Sequence, residues 1–210
     1  RDQASLDKFV EFLDLDASHR NENRPIVTPT GMLINTITFP DSTKVTISGY
    51  VWQKINQGDT ITPGIRFPDI VDAKFREVLK KDTNNKTERM YGWNFTATFV
   101  QKYRFSWFPF DRVHIDILIA SNDFERNVIL APDFNSYQSL EVDPLPGITN
   151  KIEIPGFRLD RSFFSYAILP AYDEVGLEKI RKVTEKPRLH YNIVLSRTLK
   201  NPFIVFFLPL

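Results

Sequence analysis

The residues that could carry out acid–base or metal chemistry in this 210-residue chain are few and widely separated. The three histidines are His19, His114 and His190, and their positions give neither a zinc-ligand spacing nor a base beside a nucleophile. The absence of cysteine excludes disulfides, thiolate metal sites and cysteine nucleophiles. The sequence also contains no phosphate-binding glycine-rich loop, nucleophile elbow or zinc-protease motif. We therefore expect a protein that is not an enzyme.

The acidic side chains are scattered, mostly in predicted loops, where carboxylates are usually solvated. The scattered set is Asp69, Asp123, Glu125, Asp133 and Asp143. The alternative is that folding or subunit assembly brings Asp69, Asp123 and Glu125 together as oxygen ligands of Ca²⁺, a hard cation that prefers carboxylates. We expect no cofactor other than such a modulating Ca²⁺ ion.

The composition of the chain limits which partners and which fold classes are expected. Lys and Arg number 27 against 26 Asp and Glu, so no overall field directs the chain to nucleic acid or to an anionic membrane, and no nucleic acid is expected as a partner. Eighteen Phe, seven Tyr and three Trp with only eight Gly indicate a β-rich domain with aromatic packing.

The hydrophobic pattern predicts mainly short strands. Apolar residues at helical spacing over Ser5–Leu13 predict a short N-terminal helix, followed by a polar linker. From Ile26 the pattern changes to β-branched runs, of which residues 31–39 and 44–55 are joined by the turn Pro40–Thr43. About ten such strands predict an all-β fold, an immunoglobulin-like antiparallel β-sandwich, over residues 26–201.

The run Pro202–Leu210, PFIVFFLPL, is almost wholly apolar. One interpretation is a buried terminal strand. The other is the start of a truncated first transmembrane helix, because Pro209 suits a membrane helix better than a strand interior. We expect a fragment of a longer protein, since Arg1 follows neither an initiator Met nor a signal peptide. The predicted organisation is helix and linker over 1–25, the sandwich over 26–201, and the membrane segment over 202–210.

One predicted turn between strands is apolar at its tip: Phe108, Pro109, Phe110 and Asp111. Turns are usually polar because they meet water, so an apolar tip is expected to meet another surface. This turn resembles the signature loop of the pentameric ligand-gated ion channels, the Cys-loop receptor superfamily.

Three further segments resemble that family in the same order along the chain. Trp52 ends a second strand after a Pro-Asp turn, and Phe67-Pro68-Asp69-Ile70 resembles the segment that opens the first ligand-binding loop. YNIVLSRTLKNPFIVFFLPL resembles the last ectodomain strand with its terminal arginine, Arg197, and the beginning of the first membrane helix. The resemblance extends from about Ile26 to Leu210.

The resemblance implies the ligand-binding and gating ectodomain of a homopentameric channel. A small molecule or cation would bind between identical subunits, and binding would open a membrane pore. The family cysteines would fall at about Gln101 and Ile115, so their disulfide is missing, which implies a prokaryotic type. The channel would lie in the cell inner membrane, with this domain in the periplasm or extracellular space.

The resemblance also assigns residues to the ligand site. In this resemblance Trp52 lies on the complementary face of the subunit interface. Asn122 aligns with the tryptophan that amine-binding members carry in the second ligand-binding loop, and Phe124 aligns with the tyrosine near that tryptophan. The residues proposed to bind ligand are Trp52, Phe67, Asn122, Phe124, Tyr166 and Tyr172. Because the aromatic box is incomplete, a different small molecule, or Ca²⁺ at interface acids, is as well supported as an acetylcholine-like ammonium.

For gating, the resemblance implies a charged cluster just above the membrane. Asp111, and Asp41 in the turn before the second strand, would pair with Arg197, whose planar guanidinium can hold two carboxylates. The proposed coupling residues are Asp41, Phe108, Pro109, Phe110, Asp111 and Arg197. The alternative function is a soluble or cell-surface β-sandwich binding module, for example one that recognises carbohydrate through exposed aromatic rings.

Overall fold

The computed structural model describes most of the predicted sandwich. The described residues are Lys8, Val10, Glu11 and the ranges 25–68, 70–82, 87–100, 112–123, 127–137, 146–149, 152–169 and 186–198. Within them lie nine strands: β1 (Ile26–Asp41), β2 (Lys44–Asn56), β3 (Ile65–Arg66), β4 (Ile70–Asp82), β5 (Glu88–Val100), β6 (Arg112–Ser121), β7 (Val128–Pro132), β8 (Phe157–Leu169) and β9 (Lys186–Arg197). A short 3₁₀ helix, Phe134–Ser136, follows β7.

The strands form two sheets, and the chain is an all-β sandwich. Sheet 1 has the order β4-β5-β2-β1-β7, and sheet 2 has the order β3-β6-β9-β8. Every pairing is antiparallel except that of β1 with β7, which is parallel over Ile26–Thr30 and Val128–Pro132. The expectation of a purely antiparallel sandwich was therefore wrong at this edge. The parallel stretch involves only the first five residues of the sixteen-residue β1.

Alternation of apolar side chains explains which face each strand buries. In β6, Val113, Ile115, Ile117 and Ile119 are buried between the sheets, as the sequence pattern predicts. Leu118, on the other face, is also buried. Ile115, at a position where the resemblance places a family cysteine, is completely buried in this core.

The hairpin of β1 and β2 is closed by the predicted turn. Asp41 pairs with Lys44, and the Asp41 Oδ1 atom accepts hydrogen bonds from the backbone N–H (2.7 Å) and the hydroxyl (2.8 Å) of Thr43. A side-chain carboxylate that bonds the backbone two residues later is a common way to fix a turn. The turn thereby sets the register of the two longest neighbouring strands.

Beyond Thr30 the β7 side of β1 is covered by irregular segments instead of a strand. The Tyr137 hydroxyl bonds both the N–H and the C=O of Met32 at 2.8 Å. Further along, the N–H of Ile34 donates to the C=O of Gly147, and the N–H of Thr149 donates to the C=O of Ile34. These contacts satisfy backbone groups that an open sheet edge would leave to water.

The predicted segments at the two ends of the chain lie largely outside the described residues. Lys8, Val10 and Glu11 are helical, but the remaining residues of the proposed N-terminal helix lie outside the described ranges. Residues 202–210 lie outside them as well. In the described part of the chain, no helix has the length and apolar character needed to cross a membrane.

Candidate functional site

Trp52 lies on the face of sheet 1 that points away from the core. Its neighbours Val51 and Gln53 face the other sheet, so strand alternation places the indole on the outer face. Trp52 is nevertheless only 7% exposed. Its ring lies flat over Gly31, the residue paired with it on β1, and a β-carbon built on Gly31 would lie 2.1 Å from Trp52 Cζ2.

Aromatic rings enclose the indole along the sheet and at its edge. The Tyr50 ring stacks beside it, with centroids 5.9 Å apart and planes 27° apart. The Tyr137 ring, tilted by 54°, lies 5.6 Å away. Tyr50 in turn lies across Gly92 of β5, where an added β-carbon would be 1.8 Å from the tyrosine oxygen. The two glycines therefore make room for two flat rings.

A buried carboxylate fixes the polar edge of the indole. Asp133, which is 4% exposed, accepts a 2.8 Å hydrogen bond from Trp52 Nε1 and another from the hydroxyl of Ser136. The Lys54 ammonium lies 3.0 Å from Oδ1 and 2.9 Å from Oδ2 of the same carboxylate. The expectation that the scattered loop acids are solvated was wrong for Asp133, because three donors converge on it.

Chemically, this arrangement is a neutral ion pair beside an aromatic cluster. The carboxylate of Asp133 is already compensated by Lys54, so it does not offer the uncompensated negative charge that a metal ion requires. No group of three or more His, Asp or Glu side chains among the described residues is arranged to hold a metal ion. Asp69 and Glu125, two of the three acids suggested for Ca²⁺, lie outside the described residues.

Asn122 and Asp123, at the end of β6, lie on the other side of β2 from Trp52. The Gln53 carboxamide oxygen accepts a hydrogen bond from the N–H of Gly64 (2.9 Å), and the C=O of Gly64 accepts one from the N–H of Asn122 (3.1 Å). Asp123 accepts a hydrogen bond from the N–H of Thr62 at 3.0 Å. Asn122 is exposed. Within one chain, Trp52 and Asn122 are therefore not brought together.

Phe67 and Tyr166, both proposed to bind ligand, pack inside the sandwich. Phe67 is 2% exposed, and its ring lies 5.2 to 5.5 Å from those of Phe75, Phe95 and Phe99. The Tyr166 hydroxyl donates to the C=O of Leu130 at 2.9 Å, and burial raises its pKa. Phe124 and Tyr172, the other two aromatic candidates, lie outside the described residues.

The described coupling residues are Asp41 and Arg197. The partners of Asp41 among the described residues are Thr43 and Lys44, and the hydrogen bond from the Thr43 N–H is the main cause that lowers its pKa. The Arg197 guanidinium lies over the ring of Phe157, 4.8 Å from its centroid. Phe108, Pro109, Phe110 and Asp111 lie outside the described residues, so the pairing of Asp111 with Arg197 stays a prediction.

Sequence reasoning missed Lys54, Tyr137 and the burial of Asp133. One signal was present: Asp133 stands between Pro132 and Phe134, directly after the apolar run of β7, where a solvated loop acid is less expected. Nothing in the local sequence indicates that Trp52, eighty-one positions away, is its partner.

The comparisons with known proteins do not assign the chain to a family. No model of a known protein family matches the chain. A search of curated proteins also gives no match.

Proposed function

We propose that this chain is the ligand-binding and gating ectodomain of a homopentameric, prokaryotic-type ligand-gated ion channel. In this proposal the sandwich is immunoglobulin-like, lies in the periplasm or extracellular space, and continues through residues 202–210 into the first membrane helix. A small molecule or Ca²⁺ bound between subunits opens the pore, and the sandwich itself carries out no covalent chemistry.

The observation that carries the proposal is the convergence of the coupling segments at one end of the sandwich. The ring of Phe39, near the β1–β2 turn, lies 5.0 Å from the ring of Phe157, and Arg197 lies over that same ring. Arg112, the first residue after the predicted turn at Phe108–Asp111, pairs with Ser196, next to Arg197. The β1–β2 turn, the start of β6 and the end of β9 are therefore neighbours, as a domain that acts on a membrane segment requires.

The separation of the candidate ligand residues also supports the proposal. A site between subunits takes one half from each of two opposed surfaces of the same chain. Trp52, although only 7% exposed, belongs to the outer face of sheet 1, and Asn122 lies on the other side of β2. A head-to-tail ring can therefore bring that outer face of one subunit towards Asn122 of the next.

The stoichiometry of the full-length protein in detergent tests the proposal. We expect native mass spectrometry to give the mass of five identical subunits, because head-to-tail contacts of one kind close into a ring. Any other stoichiometry contradicts the proposal. A monomer would favour the alternative of a cell-surface binding module.

A further inference from the structure

Three arginines project together from the outer face of sheet 2, and we call Arg112, Arg158 and Arg161 the arginine face. Arg112 and Arg158 both pair with Ser196 of the central strand β9, so they stand in one row across the sheet. A bulge between Leu159 and Arg161 places Arg161 opposite Val194, in the next row on the same face.

These side chains are open to solvent. Arg112 and Arg158 are 74% and 76% exposed, and Arg161 is also exposed. The Arg161 guanidinium lies 5.5 Å from the centroid of the Phe163 ring, a contact that orients its planar group. Among the described residues nothing encloses a small ligand at these side chains, so the arginine face suits an extended partner.

One acid, Asp160, lies among the three arginines within the described structure. Its carboxylate accepts a 2.8 Å hydrogen bond from the Ser196 hydroxyl, and Arg158 Nη2 lies 3.3 Å away. Arg112 Nε lies 4.0 Å from its other oxygen. Three positive charges thus face one negative charge, and the excess favours an anionic partner. Planar guanidinium groups suit phosphate in particular, because they bind two of its oxygens at once.

The position of the arginine face in the fold indicates which phosphate-bearing partner it would meet. Ser196, which the face flanks, directly precedes Arg197 at the end of β9, and the apolar run Pro202–Leu210 starts five positions after Arg197. If that run enters a bilayer, as the proposed function has it, the first surface at this end of the sandwich is the lipid headgroup layer. We propose that the arginine face docks on the anionic phospholipid headgroups around the membrane segment. This inference rests on the proposed function.

Vesicle flotation of the 210-residue chain tests the proposal. Partition is measured into vesicles of phosphatidylcholine alone and of phosphatidylcholine mixed with phosphatidylglycerol, at low and at high salt. Partition into phosphatidylcholine vesicles measures binding by the apolar run. The difference in partition between the two kinds of vesicle measures the contribution of the arginine charges. For the variant R112Q/R158Q/R161Q we expect a loss of about 5-fold in anionic partition per arginine, on the order of 100-fold in total. High salt should abolish most of the difference in the unaltered chain.

A matched control changes the charge equally on the other sheet. Lys74, Arg76 and Lys81 are exposed on β4, so K74Q/R76Q/K81Q should retain anionic partition within a few-fold. Equal losses in both triple variants would overturn the proposal, because the effect would then follow net charge alone. Unchanged partition of R112Q/R158Q/R161Q would also overturn it.

The outcome is separable from the test of the proposed function. If the full-length protein is pentameric but the arginine variant partitions like the unaltered chain, only the lipid inference fails. If the arginine variant loses anionic partition but the full-length protein is not pentameric, the lipid surface stands and the channel proposal fails.

Discussion

At the scale of single residues, Trp52 is buried on a sheet face that commonly meets water. The core contributes little to this burial, because Val51 and Gln53 are the neighbours that point inward. Asp133 holds the indole N–H, and Tyr137 covers the side of the ring. The position of Trp52 therefore depends on the buried carboxylate of Asp133. Because a buried carboxylate needs a positive partner, Lys54 is necessary for this arrangement.

We predict that Lys54→Met destabilises the fold by about 3–5 kcal/mol, because it leaves the buried Asp133 carboxylate without its cation. Urea unfolding at neutral pH measures the change in the free energy of unfolding. The double variant K54M/D133N should regain part of the loss, since it removes the uncompensated charge. Additivity of the two single changes would show that the residues do not interact.

Lys44→Met on the same strand is the matched control for this prediction. Lys44 and Asp41 also form an ion pair, at 3.5 Å, but their side chains are 42% and 44% exposed. Water screens such a pair, so the expected loss is only a small fraction of that for Lys54→Met. A loss as large as that of Lys54→Met would contradict the role assigned to burial.

The sequence could not have predicted this site because its decisive contacts are long-range. A charged residue in a loop is usually solvated, and that rule fails at Asp133 because Trp52 and Lys54 of β2 reach it, in addition to the nearby Ser136 hydroxyl. The position of Trp52 near the end of a strand was predictable from local pattern. Its hydrogen-bond partner was not.

At the scale of elements, the register of β1, β2 and β5 places large flat rings against glycines of the neighbouring strands. Gly31, Trp52 and Gly92 form one cross-strand row, and the Tyr50 and Trp52 rings occupy the space that side chains at the glycines would take. Glycine weakens a strand by itself. Here the two glycines permit aromatic packing across three strands on the solvent-facing side.

We predict that Gly31→Ala lowers the free energy of unfolding by about 1–3 kcal/mol, because its β-carbon would overlap the Trp52 ring. The ring cannot move aside without stretching its bond to Asp133. Thermal unfolding, with near-ultraviolet circular dichroism to follow the indole environment, measures both effects.

Gly58→Ala is the control for this substitution. Apart from its two chain neighbours, no described residue places a heavy atom within 4 Å of a β-carbon built on Gly58, so the change should stay within about 0.5 kcal/mol. If Gly31→Ala is as well tolerated as Gly58→Ala, then the close fit between Gly31 and Trp52 does not constrain the fold.

Local pattern predicted the β1–β2 hairpin but not the edges of the sheets. The β1–β2 hairpin follows from two β-branched runs and a turn whose aspartate bonds the backbone, all within neighbouring residues. The parallel partner of β1 and the loop at Ile148 that bridges to Ile34 come from distant parts of the chain. Alternation alone gives the buried face of a strand and says nothing about which strand lies next to it.

At the scale of the whole molecule, buried tyrosine hydroxyls link distant segments. Tyr166 of sheet 2 bonds the C=O of Leu130 in sheet 1, Tyr137 bonds Met32, and Tyr191 bonds the C=O of Pro146. Burial raises the pKa of all three above the ordinary value of 10.0. Their protonated form is therefore part of the native state.

We predict that the fold loses stability steeply in alkali. Above about pH 10 the unfolded chain releases the three tyrosine protons while the native state keeps them, so the free energy of unfolding falls as pH rises. Each tyrosine contributes about 1.4 kcal/mol per pH unit to this slope, and the contribution is absent below the unfolded pKa. Urea unfolding between neutral pH and strong alkali measures the slope.

Tyr166→Phe distinguishes this cause from general alkaline damage. At neutral pH it should cost about 1 kcal/mol for the lost bond to Leu130. In alkali it should remove about a third of the slope that these three tyrosines contribute, because two of them remain. An unchanged slope would show that the buried tyrosines do not govern alkaline unfolding.

The parallel pairing of β1 with β7 has a consequence for how the chain folds. Ile26 pairs with Val128, so about a hundred residues must be gathered before this edge of sheet 1 can form. The hairpin contacts of β1 with β2 and of β4 with β5 need only local closure. Contacts of high sequence separation slow folding, and all-β sandwiches fold in roughly milliseconds to seconds for this reason. During that delay β1 has one unpaired edge, and a nascent chain would be most exposed to mispairing there.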